Sequence, residues 1–284
     1  MIRRSTILLT ALLAFPANAA DLTAPLFPAP FTVERQISER NPSGGVEHQT
    51  DPFTEFYGES YLVAVRPGED RTIIDFGRRE IIEVQISKGT YWVLSFSRMR
   101  ELRERIGRAD GSLTREARKP QTGASTAARI RIESIDDGAR VPLASGVPAK
   151  HLRASAEGSA QIVDVWLDGS LRLTKPAQDA LRSFEDEALG ELTVTERPSL
   201  SMLMSALRAS GDGALPVKTS RLLTDRDGRA TGFTVEDTAL KAAPIPAFPK
   251  KLLVLPESLK RVSSPLEIMA AFEEDEAALR SRGK

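Results

Sequence analysis

Histidine and cysteine, the side chains most used as metal ligands and in nucleophilic catalysis, are sparse in this chain. It has two histidines, His48 and His151, and no cysteine. His48 lies in a polar stretch, and His151 begins a strand-like run, Lys150-His151-Leu152-Arg153. A metal site needs several ligands converging on one ion, and two separated histidines do not supply them. Without cysteine there is no disulfide, thiol nucleophile or iron–sulfur site, and no lipid attachment at a cleaved leader. No Gly-x-Ser-x-Gly turn presents a serine nucleophile. Neither Gly44-Gly45 nor Asp225–Gly228 has the spacing of a phosphate-binding loop. The paired acids Asp136-Asp137 and Glu273 to Glu276 fall in a turn and on an acidic helix, where solvation accounts for them. Asp75 and Asp164 sit inside apolar strands, so each is either a functional acid or a structural hydrogen-bond acceptor. No catalytic residue, metal or cofactor is assigned, and the chain reads as a non-enzyme.

Binding is better represented. Thr90 to Phe96 (TYWVLSF) alternates as a strand, with Trp92, Leu94 and Phe96 on one face and Tyr91 and Val93 on the other. A strand apolar on both faces must be covered on both. The cover is either a helix lying over the sheet or, on one side, a ligand. Tyr91, Trp92, Leu94 and Phe96, with Trp166 from a second apolar strand, are the candidate ligand-binding residues.

The elements that would position them read as follows. Residues 20–30 are a Pro-rich, extended lead-in. Phe31, Val33 and Ile37 alternate, 39–52 is a polar loop, and Tyr61, Val63 and Val65 alternate again. Pro67–Asp70 is a turn, Thr72–Phe76 a short strand, Ile82–Ile86 the next, and Ser87-Lys88-Gly89 a hairpin turn. Residues 97–106 form a helix with a narrow stripe of Met99, Leu102 and Ile106. The basic run from Arg98 to Lys119 is either a solvated helix face or a patch for a membrane surface or an acidic partner. Residues 107–128 hold almost nothing to bury and read as a flexible linker. Strands follow around Ile130, over Lys150–Ser155 and over Gln161–Leu167, the last ended by Asp168-Gly169. Helices at 175–189 and 199–209 precede a hairpin whose turn is Asp225–Gly228. A Pro-rich tract leads to a last helix at 263–284, opened by the capping box Ser264-Pro265-Leu266-Glu267. The sum is α+β: a curved antiparallel sheet with helices on one face.

Composition sets the outer bounds. Lysine plus arginine equals aspartate plus glutamate, 39 each, which argues against nucleic-acid binding. Residues 1–19 join a basic Met1–Arg4, an apolar Ser5–Phe15 and Pro16-Ala17-Asn18-Ala19, the pattern of a cleaved signal peptide. The apolar run is about half the ~20 residues that span a bilayer, and no other stretch is long enough. The expected product is a periplasmic chain beginning at Ala20, without a transmembrane segment. Residues 20–262 read as one domain interrupted by the 107–128 linker.

Certain motifs are shared with a known group. The run Thr72-Ile73-Ile74-Asp75-Phe76, then Ile82 to Ile86, then Lys88-Gly89-Thr90-Tyr91 and a helix after Phe96 resembles uncharacterised proteobacterial periplasmic proteins. In that group one strand carries an I-I-D-F/L motif and a following strand ends in K-x-Y. Gly146–His151, Val163–Leu167 and Phe248-Pro249…Leu255-Pro256 resemble its later motifs, so the likeness spans most of 31–262. The long linker and the acidic C-terminal helix depart from it. The group is similar in fold to LolA/LolB-type lipoprotein carriers, whose half-open barrel is capped by helices. The resemblance implies a half-barrel that shelters an apolar ligand such as an acyl chain or a lipoprotein. The rival reading is a structural or interaction module of the cell envelope, its sheet face closed by helices. Apolar residues facing open volume would separate the two.

Overall fold

The computed structural model describes residues 25–109, 130–136, 149–157, 160–184, 187–188, 203–204, 206–207, 210–224 and 229–282. The expected signal peptide at 1–19, residues 110–128 of the expected linker and the expected turn at Asp225–Gly228 lie outside them.

In chain order the first half comprises strands β1 (Phe27–Arg40), β2 (Val46–Gln49), β3 (Phe53–Glu59), β4 (Tyr61–Val65), β5 (Arg71–Asp75), β6 (Glu80–Gln85) and β7 (Thr90–Ser95), then helix α1 (Phe96–Ala109). The second comprises β8 (Ile130–Ile135), β9 (Lys150–Ala156), β10 (Ile162–Arg172), helix α2 (Lys175–Phe184), β11 (Ala214–Thr224), β12 (Ala230–Pro244), β13 (Lys260–Arg261) and helix α3 (Pro265–Arg282). All these strands join one sheet, ordered β13-β7-β6-β5-β4-β3-β1-β12-β11-β10-β9-β8, with β2 added to β1. Every pairing is antiparallel except β13 with β7. The sheet is curved and does not close, and its class is the expected α+β.

Cross-strand register builds the core. Leu94, Ile81, Ile74, Leu62 and Tyr57 face one another in turn across β7 to β3. That apolar row packs against Phe96, Met99 and Leu102 of α1, Ala177, Leu181 and Phe184 of α2, and Ala270 of α3. Leu26 and Phe27, at the entry to β1, are buried in the same cluster. Pro28 and Pro30 are tolerated there because the β1–β3 register skips between Phe27 and Phe31, where the ladder needs no N–H. In the second half Leu152, Ala154, Val163, Val165 and Leu167 pack with Leu203 and Leu207.

The opposite face of β3 to β6 is covered by an irregular strap running from Phe248 to Leu259, with a 3-10 turn at Lys250–Leu253. Val63, Ile73 and Val84 pack against Phe248, with Leu252, Leu253, Leu255 and Leu259 beside them. The buried Arg71 guanidinium fastens the strap, donating to the carbonyls of Leu252 (2.8 Å) and Val254 (2.7 Å). Gly58 makes room for it: a Cβ there would meet the Phe248 side chain at 2.5 Å. Gly58→Ala is therefore expected to cost roughly 1–3 kcal/mol by overpacking. A chemical-denaturation midpoint indistinguishable from the parent would refute that account.

Several boundaries differ from the sequence reading. The stretch 39–52 is a hairpin: β1 runs to Arg40 and β2 follows a tight turn in which the Asn41 Oδ1 accepts from the Ser43 and Gly45 amides. Residues 107–109 belong to α1, and Phe96 starts that helix instead of ending β7. Asp168-Gly169 does not end β10, which continues to Arg172 through a register shift. Residues 27–30, read as lead-in, are already strand. The capping box forms as expected: the Ser264 hydroxyl accepts from the Glu267 amide (3.2 Å), and the Glu267 carboxylate accepts from the Ser264 amide (2.7 Å).

Candidate functional site

Trp92 and Leu94 project from β7 into the main core, and Phe96 follows them from the first turn of α1. Trp92 is only 8% exposed, and its indole Nε1 has no acceptor among the described residues. Phe96 and Phe184 meet with ring centroids 4.9 Å apart, so a helix side chain fills the space in front of this face. Tyr91 and Val93 lie on the other face, half-buried opposite Val84 and Ile82. Trp166 stands on β10, in the other half of the sheet, half-buried against the margin of that same main core. It is stacked on His151 (4.2 Å), with the Lys218 ammonium 4.9 Å from its ring.

A group not anticipated from the sequence occupies the middle of the sheet. Arg35 of β1 is 1% exposed. Its Nε donates to Glu55 of β3 (2.7 Å), its Nη1 to Asp237 of β12 (3.2 Å) and its Nη2 to the Pro216 carbonyl of β11 (2.9 Å). The Tyr57 hydroxyl also donates to Glu55 (2.8 Å). Burial alone would depress the guanidinium, but the Glu55 and Asp237 carboxylates outweigh it and hold the cation well above its ordinary range. Burial pushes the Tyr57 phenol up, and the Glu55 charge adds to this. Burial also pushes Asp237 up to about 6, against the pull of Arg35. The Glu55 charge, sharing the same cation, adds to the rise.

The two acids singled out in the sequence are both structural acceptors. Asp75 Oδ1 accepts from the Arg78 amide (2.9 Å) and closes the β5–β6 turn. Asp164 meets His151 Nε2 (2.8 Å) and is held by Arg153 at both oxygens, 2.8 and 3.1 Å. His151 of β9 and Asp164 and Trp166 of β10 thus form one network. His48 is exposed on β2. Among the described residues no three His, Asp or Glu side chains are grouped to hold a metal ion. No described helix is long and apolar enough to cross a membrane.

No family model matches the chain, and no curated protein matches it by sequence. Solved structures similar to it include an uncharacterized conserved protein from Thermus thermophilus, with 9% identity, 82% of this chain and 90% of that chain covered, and a TM-score of 0.37. PNGF-II matches over 87% of this chain and 33% of its own, with 9% identity and a TM-score of 0.38. The Pseudomonas aeruginosa MucA/MucB complex matches over 83% of this chain and 58% of that chain, with 10% identity and a TM-score of 0.28.

Proposed function

We propose that this chain is a non-enzymatic module of the cell envelope that acts through its protein surface, with the apolar face of its sheet closed by its own helices. The observation that carries this reading is the filling of that face. Phe96, Met99, Leu102, Leu181 and Phe184 occupy the volume that an acyl chain would need in a half-barrel carrier. Two acids set within the sheet are engaged in structural pairs, Glu55 with Arg35 and Asp164 with Arg153 and His151. The location rests on the export pattern of residues 1–19.

One observation favours the carrier instead. The Trp92 indole N–H is buried without an acceptor among the described residues, and such a group costs roughly 1–3 kcal/mol unless something accepts from it. The head-group oxygen of a lipid entering between the sheet and α1 would do so. Mass spectrometry of lipids extracted from the protein, with titration of a fluorescent fatty acid, decides between the two. The surface-module reading expects no stoichiometric lipid and no saturable binding. One acyl chain per protein would establish the carrier in its place.

A further inference from the structure

One cation of the sheet is left without a counter-charge. Arg221 lies on β11 directly between Val163 of β10 and Val235 of β12, and residues opposite one another in register share a face. Val163 is 1% exposed and belongs to the core of the second half. Arg221 is half-buried beside it, and its Nε is enclosed with no acceptor among the described residues. Two acids share this face. Asp237, two residues along β12 from Val235, is held by Arg35 Nη1 at 3.2 Å. Glu39 pairs with Val235 from β1, two strands from Arg221 and so roughly 10 Å away at the backbone. Neither carboxylate acts on the Arg221 charge: burial lowers its pKa and nothing opposes that. Arg35 and Arg71 differ, the first answered by Glu55 and Asp237, the second by two strap carbonyls.

A guanidinium withdrawn from water costs free energy unless an opposite charge and hydrogen bonds answer it. A buried donor left without an acceptor calls for an ion or a ligand. Its chemistry narrows the choice. Nε and one Nη form a fork that takes both oxygens of one anion. A single positive charge among apolar neighbours balances a monoanion and leaves a phosphate dianion with charge to spare, which favours a carboxylate. The neighbours add a second element. Val235 and Phe233, which alternation places on the same side of β12, are half-buried and belong to none of the packed clusters among the described residues. Two side chains suit the contact of one amino-acid side chain and are too few for an acyl chain. We propose that Arg221, Val235 and Phe233 form a recognition point for a partner polypeptide, which places a carboxylate and an adjoining apolar side chain there. The proposal extends the surface-module reading with a partner chemistry, and the two fail separately. Lipid found on the protein unseats that reading, whereas the test below reads Arg221 itself.

N-acetylphenylalanine carries both elements and serves as the probe. Titrated into the isotope-labelled mature chain and followed by NMR, it is expected to shift the Arg221 Nε–H signal and the Val235 amide. The shifts should saturate with a dissociation constant on the order of 1–10 mM, as one small contact allows. N-acetylphenylalaninamide lacks the carboxylate and acetate lacks the ring. Each should bind about 10-fold more weakly, a loss of roughly 1.4 kcal/mol. Arg221→Met should abolish the response and leave the thermal melt unchanged or raised, because it removes a half-buried charge that nothing pairs. An Arg221 signal that does not move in the parent overturns the proposal, as does an amide that binds like the acid. Acetate or inorganic phosphate binding as tightly as the probe would reduce the site to a free-anion contact and overturn the polypeptide partner. Octanoate binding at least about 10-fold tighter than the probe would assign the site to a fatty acid in its place. A clearly lowered melt for Arg221→Met would give the arginine a structural role and likewise overturn the proposal.

Discussion

Replacing Arg35 with methionine is expected to lower the unfolding free energy by about 3–5 kcal/mol at pH 7, because it strips the shared cation from two buried carboxylates. Methionine fills much of the same volume, so the loss reports the charge and not a cavity. Glu55 and Asp237 would be left facing each other across β1, with the Pro216 carbonyl also deprived of its donor. Asp237 adds a pH signature in the parent. Its folded pKa of about 6 lies above its ordinary 3.8, so the folded state holds this proton more tightly than the unfolded chain. The associated stability is fully present below pH 3.8 and is lost as pH rises to about 6, an amount of about 3 kcal/mol. Asp237→Asn should flatten that part of the stability–pH curve. The Arg35→Met deficit should shrink at pH 4, where Asp237 carries a proton. Urea denaturation at pH 4 and pH 7 measures both effects. A deficit below about 1 kcal/mol that does not change with pH would mean the cluster does not hold the sheet together.

Truncation on β7 should be sharply asymmetric. Trp92→Ala removes a large side chain from a packed core and is expected to cost roughly 3–5 kcal/mol. Tyr91→Ala, from the half-buried opposite face, should cost well under half of that. Thermal melts of the two variants measure the difference, and a fatty-acid probe titrated into each adds an independent readout. Equal losses would mean that the strap side is packed as tightly as the helix side. A Tyr91→Ala variant of normal stability that lost probe binding would move the ligand site to the strap face.

The alternation of β4 to β7 was legible because each strand is short, hydrophobic and bounded by a turn cluster. Its consequence, cover on both faces, was legible too. The kind of cover was not: a helix answers on one side, but on the other, over β4 to β6, the answer is the strap at 248–259, whose Pro-rich sequence has no period to reveal a partner. Arg35 illustrates a deeper limit. Its position between Val33 and Ile37 places it on the core side of β1, and that parity is visible in the sequence. Nothing local shows that Glu55 and Asp237 converge on it, because Asp237 is 202 residues away and arrives through the order of strands in the sheet. His151 and Asp164 were noticed separately for the same reason. Strand pairing made them neighbours, and one sequence does not determine strand pairing.

The central placement of β1 bears on how the molecule is assembled in time. It is made before every other described strand, yet it lies between β3, its near neighbour in the chain, and β12, which is among the last. The β1–β12 seam links Phe31 to Pro244 and Arg40 to Thr234, so its contacts span most of the polypeptide. Closing loops of that length slows folding, towards the millisecond-to-second range of sheet proteins rich in distant contacts. Until residues 230–244 are available, one hydrogen-bonding edge of β1 is open while Val33, Arg35 and Ile37 wait for their cover. The halves of the sheet can form separately, but the molecule becomes one body only when nearly the whole chain has been made.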